Sequence, residues 1–214
     1  ADRLKATVAV NQNFRRFFPF EMARGILATG RLGRPLHLTQ SALWKRRDNG
    51  WRLDRDRYVM AVMSIHWFDG YRFLLNEEPL AVSCLAPRTD SAAGGDTAVS
   101  VTVTFPGGTV VDLSESFSSF VPHAYAQLDC GKRSLILDYK ALIEVDPEGN
   151  QTEHTNPCDK PEATVSLLLD LCAAASEGRR PLTDIRDNVN SIRIMEAAYR
   201  SLDEGRPVRL EDIR

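Results

Sequence analysis

Between Leu80 and Asn150, the chain consists of short segments that alternate apolar with polar residues and are separated by turn sequences. From Val99 to Phe105 every second residue is apolar, and Pro106-Gly107-Gly108 follows directly. This alternation predicts half-buried strands, and a turn of that composition predicts a hairpin. The other strand positions predicted to face inward are Leu80, Val82, Cys84, Val111, Leu113, Phe117, Leu135, Leu137, Tyr139, Leu142 and Val145. Strands joined by tight turns form an antiparallel meander rather than a doubly wound parallel sheet.

The rest of the chain is mostly helical in its periodicity. In chain order the sequence predicts a strand, a helix, a strand, a loop and a helix before the meander, and two helices after it. Their bounds are Lys5–Val10, Pro19–Thr29, Leu36–Trp44, Lys45–Arg57, about Asp56–Leu75, Pro161–Glu177 and about Asp184–Glu204. We therefore predict one α+β domain over residues 1–214, with an open, mainly antiparallel β-sheet and helices packed on one face.

Apolar residues at three- and four-residue steps predict which side of each helix is buried. In the helix before the meander these are Val59, Met63, His66, Gly70 and Phe73. In the first closing helix they are Val165, Leu168, Leu169, Cys172 and Ala175. In the last helix they are Val189, Ile192, Met195, Tyr199 and Leu202.

Charge and cysteine usage argue against several classes of protein. The net charge of -2 at pH 7 disfavours nucleic acid or an anionic membrane as partner, because both attract clustered cations. No apolar run approaches the roughly 20 residues that span a bilayer, and the N-terminus lacks the apolar core of a signal peptide. Cys84, Cys130, Cys158 and Cys172 are scattered, which predicts free thiols in a reducing cytoplasm. His154 and Cys158 offer only two zinc ligands, so we predict no metal site.

Three stretches of the chain share the motifs of a known family. The first is Val10 to Pro19, followed after a helix by Thr29-Gly-Arg-Leu-Gly33. The second is Met63-Ser-Ile-His-Trp-Phe-Asp69, followed by Arg72-Phe-Leu-Leu and Glu78-Pro79. The third is Asp187 to Leu210, especially Glu196 to Val208. In this order and at these spacings they resemble the Gfo/Idh/MocA oxidoreductases, the family of glucose–fructose oxidoreductase and inositol dehydrogenase.

The resemblance implies a dihydrodipicolinate-reductase-like C-terminal domain without the nucleotide-binding domain that precedes it in the family. Gly25, Gly30 and Gly33 do not have the spacing of the G-x-G-x-x-G turn of a Rossmann domain. Asp159-Lys160-Pro161 lies far downstream of the place where the family keeps its Glu-Lys-Pro motif. We therefore expect that residues 1–12 are the remnant of a connection from a missing Rossmann domain. NAD or NADP would bind to that domain in the intact protein, and no cofactor to this chain.

His66 is the main candidate for catalysis. On the apolar side of a helix, an imidazole is expected to be hydrogen-bonded or functional, and a satisfied core histidine is the alternative interpretation. The resemblance implies a histidine here at the reacting hydroxyl of the substrate, as its proton-transfer partner. Asp69 lies one turn later and could orient this imidazole or pair with Arg72. Many members have an aspartate four residues before the histidine, whereas Val62 occupies that position here and can neither accept a hydrogen bond nor share a proton.

The candidates for substrate binding are aromatic and cationic residues from segments expected to border one cleft. Indole faces and guanidinium groups suit sugar rings and their hydroxyl or acid groups. The alternative is a core position for Trp44 and solvated positions for the arginines. The candidates are Arg15, Trp44, Arg46 and Trp51, with His123 and Tyr125 from a stretch predicted to be irregular.

These observations together predict the C-terminal domain of a cytoplasmic NAD(P)-dependent oxidoreductase that acts on a sugar, polyol or related hydroxy compound. This chain alone is expected to be inactive. A non-catalytic family member that senses a small molecule, and a structural assembly module, are the alternatives. Helices on one face of the sheet would leave the other partly bare, which predicts a homodimer or higher oligomer through the sheet. The apolar residues expected on that bare face are Val110, Phe120, Ile136 and Ile143.

Overall fold

The computed structural model describes residues 6–46, 57–87, 96–138, 141–156 and 160–213. Within these ranges, nine strands and four α-helices are present. The strands are β1 Pro35–Lys45, β2 Ala81–Leu85, β3 Ala98–Thr104, β4 Val110–Ser116, β5 Ser118–Cys130, β6 Ser134–Leu137, β7 Ala141–Val145, β8 Gln151–Thr155 and β9 Val208–Arg209. The α-helices are α1 Phe18–Ala28, α2 Ile65–Leu75, α3 Lys160–Glu177 and α4 Ile185–Glu204. Short 3-10 turns at Asn13–Arg16 and Leu210–Asp212 and a π-helical turn at Met60–Ser64 complete the described structure.

The strands form one mixed sheet in the order β8-β7-β6-β5-β1-β4-β3-β2-β9. Neighbouring strands are antiparallel except β1 and β4, which run parallel with Leu38 opposite Val111. The Pro106–Gly108 hairpin joins β3 to β4, and Gly108 adopts a φ of 82° that suits glycine. The predicted fold, an open and mainly antiparallel sheet with helices on one face, is confirmed.

The inward face of the sheet carries most of the predicted apolar positions. Val99, Val101, Val103 and Phe105 are all buried, because each alternate side chain of β3 points to the helical layer. Leu80 was predicted to face inward with Val82 and Cys84 but lies before β2 and is 46% exposed. The other predicted positions that the structure describes are buried, except Val145, which is half-buried, while Tyr139 lies outside the described residues.

The predicted N-terminal strand at Lys5–Val10 is wrong for the residues that the structure describes. Ala9 makes an isolated bridge to Asp184, and the Val10 amide donates to the Thr183 carbonyl at 2.9 Å. This segment therefore pairs with the residues before α4 and does not join the sheet. Two strands were not predicted. β8 follows the last predicted turn of the meander, and β9 follows α4.

The buried sides of the helices match the predicted apolar stripes only in part, since Val59, Gly70, Phe73 and Tyr199 are buried but Met63 and His66 are half-buried. In α2 the residues with the least exposure are Phe68, Asp69, Tyr71 and Leu74, and the π-helical turn Met60–Ser64 directly precedes the helix. In α3, Val165, Leu168 and Leu169 are 52%, 58% and 64% exposed. The buried residues of α3 are Ala163, Leu167 and Ala174, and those of α4 include Ile194, Ala197 and Ala198, while Val189 and Ile192 of α4 are about half exposed. Small residues face inward where a helix packs closely, so the largest apolar side chains do not mark the buried side.

Two helical glycines offer a matched test of this packing. A Cβ at Gly70 of α2 would lie 2.9 Å from Cε1 of the buried Phe20 ring in α1, whereas a Cβ at Gly25 of α1 would meet nothing within 4 Å. We expect Gly70→Ala to lower the free energy of unfolding by about 1–3 kcal/mol, because it overpacks the α1–α2 contact. Gly25→Ala should raise the free energy of unfolding by about 0.4–1 kcal/mol, because alanine leaves the unfolded chain fewer conformations than glycine does. Urea denaturation of both variants checks this, and a stabilising Gly70→Ala would contradict the close contact.

Candidate functional site

A buried ion pair ties the first 3-10 turn to α2. The Arg15 guanidinium donates to both carboxylate oxygens of Asp69, from Nε to Oδ2 and from Nη2 to Oδ1, each at 2.7 Å. The Asp69 side chain is fully buried and that of Arg15 is 9% exposed. Asp69 also accepts from the Ser191 hydroxyl of α4 at 2.8 Å. Such a two-point pair is strong and directional, so Asp69 is committed to Arg15 and Ser191.

The ion pair extends into a network through Arg72. This guanidinium lies 3.5 Å from Asp69 and donates to Glu78 at 2.7 Å and to Asp187 of α4 at 2.8 Å. Asp187 also accepts from Arg15. Burial alone would lower the pKa of Arg15 and of Arg72, but the surrounding carboxylates raise both above the ordinary value. Both arginines are therefore charged, and their positive charges are neutralised within the fold.

This network decides two of the predicted site residues. The hypothesis that Asp69 orients the His66 imidazole is not what the structure shows; the alternative pairing, with Arg72, is present. Arg15 was expected to bind substrate, but its guanidinium nitrogens donate to Asp69, Asp187 and the Leu182 carbonyl. Sequence spacing predicts contacts only between positions on one helix. Arg15 contacts Asp69 from a separate element, the 3-10 turn Asn13–Arg16.

His66 is held by a chain of side-chain amides. Its Nδ1 lies 2.8 Å from Oε1 of Gln12, and Nε2 of Gln12 donates to Oδ1 of Asn188 at 2.7 Å. An amide oxygen only accepts, so Nδ1 carries a proton, and in a neutral imidazole Nε2 would be the basic nitrogen. The ring is half-buried, and its centroid lies 5.4 Å from that of Phe14. The arrangement fixes the tautomer that can take a proton through Nε2.

Sequence reasoning missed Gln12 and Asn188, which are 2% and 7% exposed. Gln12 lies within the first of the stretches that carry the family resemblance, yet an amide in a loop has no periodicity that marks it as buried. Asn188 lies one residue before Val189 on α4, and the predicted apolar stripe passes beside it. Its position beside the predicted apolar stripe is the only sequence signal that could have identified Asn188 as a buried residue.

The other predicted site residues that the structure describes lie at the end of β1 and on β5. Trp44 is half-buried against Phe117, with ring centroids 5.7 Å apart, and the Arg46 guanidinium lies 4.9 Å from the same ring centroid. His123 and Tyr125 lie on β5, so the prediction of an irregular stretch is wrong. Trp51 and Cys158, a residue of the candidate zinc pair, lie outside the described residues.

His123 and Tyr125 belong to the outer face of the sheet. Their rings are nearly parallel, at 17°, with centroids 6.3 Å apart. The Tyr125 hydroxyl donates to Gln127, and Gln127 in turn donates to Asp129 at 2.8 Å. The intervening Ala126 and Leu128 are buried beneath the helices. Because side chains alternate along a strand, the two side chains lie on the face opposite that of Ala126 and Leu128, while Tyr125 also borders the cavity next to the helices.

An aromatic cavity of about 240 Å³ separates the sheet from the helices next to Phe14. Its floor is formed by residues of β1, β5 and β6, and its roof by residues of the first 3-10 turn, α1, α2 and their connections. The lining residues are Phe14, Phe17, Pro19, Phe20, Gln40, Trp44, Met63, Trp67, Ala124, Tyr125, Ala126, Leu137 and Asp138. We call this space the aromatic cavity. Phe14 contacts both the His66 ring and, at 4.3 Å between centroids, the Trp67 ring, so the cavity and the histidine share one wall.

Glu115 is a buried acid that sequence reasoning missed. It is 1% exposed on the inward face of β4 and accepts a hydrogen bond from the Ser64 hydroxyl, while its Oε1 has no hydrogen-bond partner. Burial raises the pKa of this carboxyl to about 8. The nearby Trp67 indole opposes that rise in pKa. The strand alternation could have revealed this acid, since Glu115 falls between the inward-facing Leu113 and Phe117.

Two absences apply to the described part of the chain. No group of three or more histidine, cysteine or acidic side chains there is arranged to hold a metal ion. No described helix has both the length and the apolar character to cross a membrane. Cys84, Cys130 and Cys172 are free thiols, as predicted, and burial raises the pKa of Cys84 to about 12 and that of Cys130 to about 11.

The buried Glu115 predicts an unusual pH dependence of stability. Its pKa rises from 4.5 to about 8 on folding, so between these values the folded state holds a proton that the unfolded state has released. The free energy of unfolding should therefore fall as the pH rises from about 5 to 8, at no more than about 1.4 kcal/mol per pH unit. Glu115→Gln removes this titration. The difference in free energy of unfolding between the variant and the wild type should therefore shift in favour of the variant as the pH rises from about 5 to 8. Denaturation of both proteins at several pH values tests this, and parallel profiles would contradict a raised pKa.

Solved structures of other proteins share this architecture. Of solved structures, the oxidoreductase from Agrobacterium radiobacter in complex with NAD+, L-tartaric acid and magnesium superposes with a TM-score of 0.88 at 19% identity, covering 100% of this chain and 68% of that one. The aldose-aldose oxidoreductase from Caulobacter crescentus complexed with glycerol gives a TM-score of 0.84 at 19% identity, covering 97% of this chain and 65% of that one. At these identities the likeness shows the fold alone.

Sequence comparison gives the family. The chain is 24% identical over 174 residues to the D-apiose dehydrogenase of Paraburkholderia graminis, a match that covers 74% of this chain and 46% of that enzyme. The chain thus spans about half the length of this curated relative. Residues 20–135, more than half of the sequence, match the GFO/IDH/MocA C-terminal domain. The chain therefore belongs to the Gfo/Idh/MocA oxidoreductase family, as the three sequence stretches indicated.

Proposed function

We propose that this chain is the substrate-binding and oligomerisation domain, over residues 1–214, of a cytoplasmic NAD(P)-dependent oxidoreductase that acts on a sugar, polyol or related hydroxy compound. The observation that carries the proposal is the His66–Gln12–Asn188 chain, in which the Gln12 carbonyl oxygen holds the proton of the imidazole on Nδ1. Family membership supports it, as do relatives such as the levoglucosan dehydrogenase solved with NADH and levoglucosan, which has a TM-score of 0.85 at 15% identity.

The chemistry follows from the state of His66. When an alcohol carbon becomes a carbonyl, its C–H bond is lost as hydride and its O–H bond as a proton. In the proposal Nε2 of His66 takes that proton, while Nδ1 stays bonded to Gln12. The imidazolium that forms can donate from both nitrogens, so the hydrogen bond to Gln12 is kept. Asn188 fixes Gln12 in turn, and this holds the ring in place as its charge changes.

The cofactor is assigned to another domain of the intact protein. In the described residues no glycine-rich turn follows a strand and opens a helix, so none fits a dinucleotide pyrophosphate. A nicotinamide group bound by that domain would supply the hydride acceptor. Arg46, directly after β1, is the substrate-binding candidate that the proposal retains from this chain, while Trp44 lines the aromatic cavity. Arg15 and Asp69 are reassigned to the buried ion network.

A second candidate function is a non-catalytic family member that binds a small molecule. Val62, one turn before His66, favours it, because an apolar side chain there cannot share the proton-transfer task. The two candidates differ in whether turnover depends on His66.

The outer face of the sheet supports the proposal of a homodimer or higher oligomer. Phe120 and Val121 at the start of β5 are 82% and 74% exposed. Val110, Ile136 and Ile143, also expected on this face, are half-buried within the chain. Stacked His123 and Tyr125 extend the aromatic surface along β5. Large apolar side chains exposed on a sheet are typical of an interface.

We expect the wild-type chain to be at least dimeric at micromolar concentration, as measured by light scattering after gel filtration. The double substitution Phe120→Ser with Val121→Ser should shift it towards the 23.9 kDa monomer, because it removes the two most exposed apolar side chains of β5. Leu169→Ser on the exposed side of α3 is the matched control and should leave the mass unchanged. A monomeric wild type would contradict the proposed oligomer.

For catalysis we expect His66→Asn to lower kcat of the intact protein by about a hundred- to ten-thousand-fold, the usual contribution of general-base catalysis. Asparagine retains a hydrogen-bonding group for Gln12, so the free energy of unfolding should change by no more than about 1–2 kcal/mol. Asp69→Asn is the contrasting variant: it breaks a buried pair and should cost about 3–5 kcal/mol of stability. Steady-state rates and melting temperatures of both variants check this. Retained turnover in a destabilised His66→Asn protein would make His66 a structural residue and favour the non-catalytic candidate.

A further inference from the structure

The aromatic cavity contains one polar group whose orientation is fixed by the fold. Gln40, on the inward face of β1, is 4% exposed and lines the cavity floor. Its Oε1 accepts a hydrogen bond from the buried Tyr71 hydroxyl at 3.0 Å. That bond leaves the amide nitrogen, Nε2, as the donor of the group.

The Gln40 amide nitrogen is available to a ligand. It makes no hydrogen bond in the described structure, where the side chain's one hydrogen bond is through Oε1. This nitrogen is not fully enclosed by protein atoms. The Trp67 indole nitrogen, in contrast, is fully enclosed and has no partner in the described part of the chain. The nitrogen is therefore reachable, and because the residue lines the cavity, the reachable side is the cavity. A buried amide donor without a partner is costly unless a ligand or water satisfies it.

The rest of the lining selects the ligand class. Phe14, Phe17, Phe20, Trp44 and Trp67 contribute aromatic rings, and Met63 and Leu137 add aliphatic surface. A sugar carries a hydroxyl on nearly every carbon, and those beyond the reach of Gln40, Tyr125 and Asp138 would find no partner here, each at the cost of an unmet buried hydrogen bond. A flat apolar ring instead gains edge and face contacts with the aromatic walls. A cavity of about 150 Å³ is already large enough for benzene, so about 240 Å³ accommodates one substituted ring.

We propose that the aromatic cavity is a second ligand site, distinct from the His66 centre, which binds a neutral aromatic ring carrying one hydrogen-bond acceptor for Nε2 of Gln40. The ring packs between the aromatic roof and β5, and its acceptor takes the amide proton. His66 does not line the cavity, so occupancy does not depend on the proposed proton transfer. The shared Phe14 wall gives the bound ring contact with the side chain that also packs on His66.

The experiment uses three simple probes of similar shape: acetophenone, which has an acceptor; ethylbenzene, which has none; and benzyltrimethylammonium, which is cationic. Binding to the 15N-labelled chain is followed through the indole N–H signals of its three tryptophans, since Trp44 and Trp67 line the cavity. We expect acetophenone to shift the signals of these two and to bind about three- to tenfold more tightly than ethylbenzene, the ratio expected for one neutral hydrogen bond.

Two variants separate the donor from the space. Gln40→Met keeps the side-chain length and removes the donor, so it should abolish the preference for acetophenone over ethylbenzene. Ala124→Leu fills the β5 wall without touching the Gln40–Tyr71 bond, so it should weaken both ligands at least tenfold even if Gln40→Met fails to fold.

Three results would overturn the proposal. One is the lack of any shift with millimolar acetophenone. Another is equal binding to the wild type and Ala124→Leu. The third is tighter binding of benzyltrimethylammonium, which would make the cavity a cation site. None of these results bears on the kcat of His66→Asn, so failure of this site and failure of the proposed function are distinguishable.

Discussion

The buried pair of Arg15 and Asp69 is the interaction on which the rest of the helical layer depends. It joins the first 3-10 turn to α2, and through Ser191 and Asp187 it joins both to α4. Removing one partner would leave a buried charge without compensation, which is far more costly than losing a surface pair. Because Gln12 lies just before Arg15, the network also sets the position of the amide that holds His66.

The inward face of the sheet combines an apolar core with a few committed polar groups. Gln40 bonds to Tyr71, and Glu115 bonds to Ser64. Each lies in a strand whose neighbouring inward residues are apolar. Burying such a polar group costs free energy, which its hydrogen bond offsets. In the proposals above one has a ligand-binding role, and the other gives the fold its pH dependence. His66 is held by a separate chain of side-chain amides.

The proposed oxidoreductase role rests on a histidine whose tautomer is set by its neighbours. Asp69, a natural candidate for that task by spacing, is occupied elsewhere, and the amide of Gln12 replaces it. An amide holds the imidazole without adding a negative charge. A carboxylate partner would favour the protonated ring, so the observed arrangement suits a base that must begin neutral.

What the sequence determined by itself was local: the alternation of β3, the Pro106–Gly108 hairpin, and the approximate bounds of α1 and α4. Local periodicity reports which face of an element is apolar, and in strands this also gave the inward side. The tertiary structure decided what meets across the layers, including the parallel pairing of β1 with β4 and the bond between Gln12 and His66. It also decided that α3 leaves Val165, Leu168 and Leu169 largely exposed while it buries Ala163, Leu167 and Ala174. Partners that are far apart in sequence are chosen by packing, which no single segment encodes.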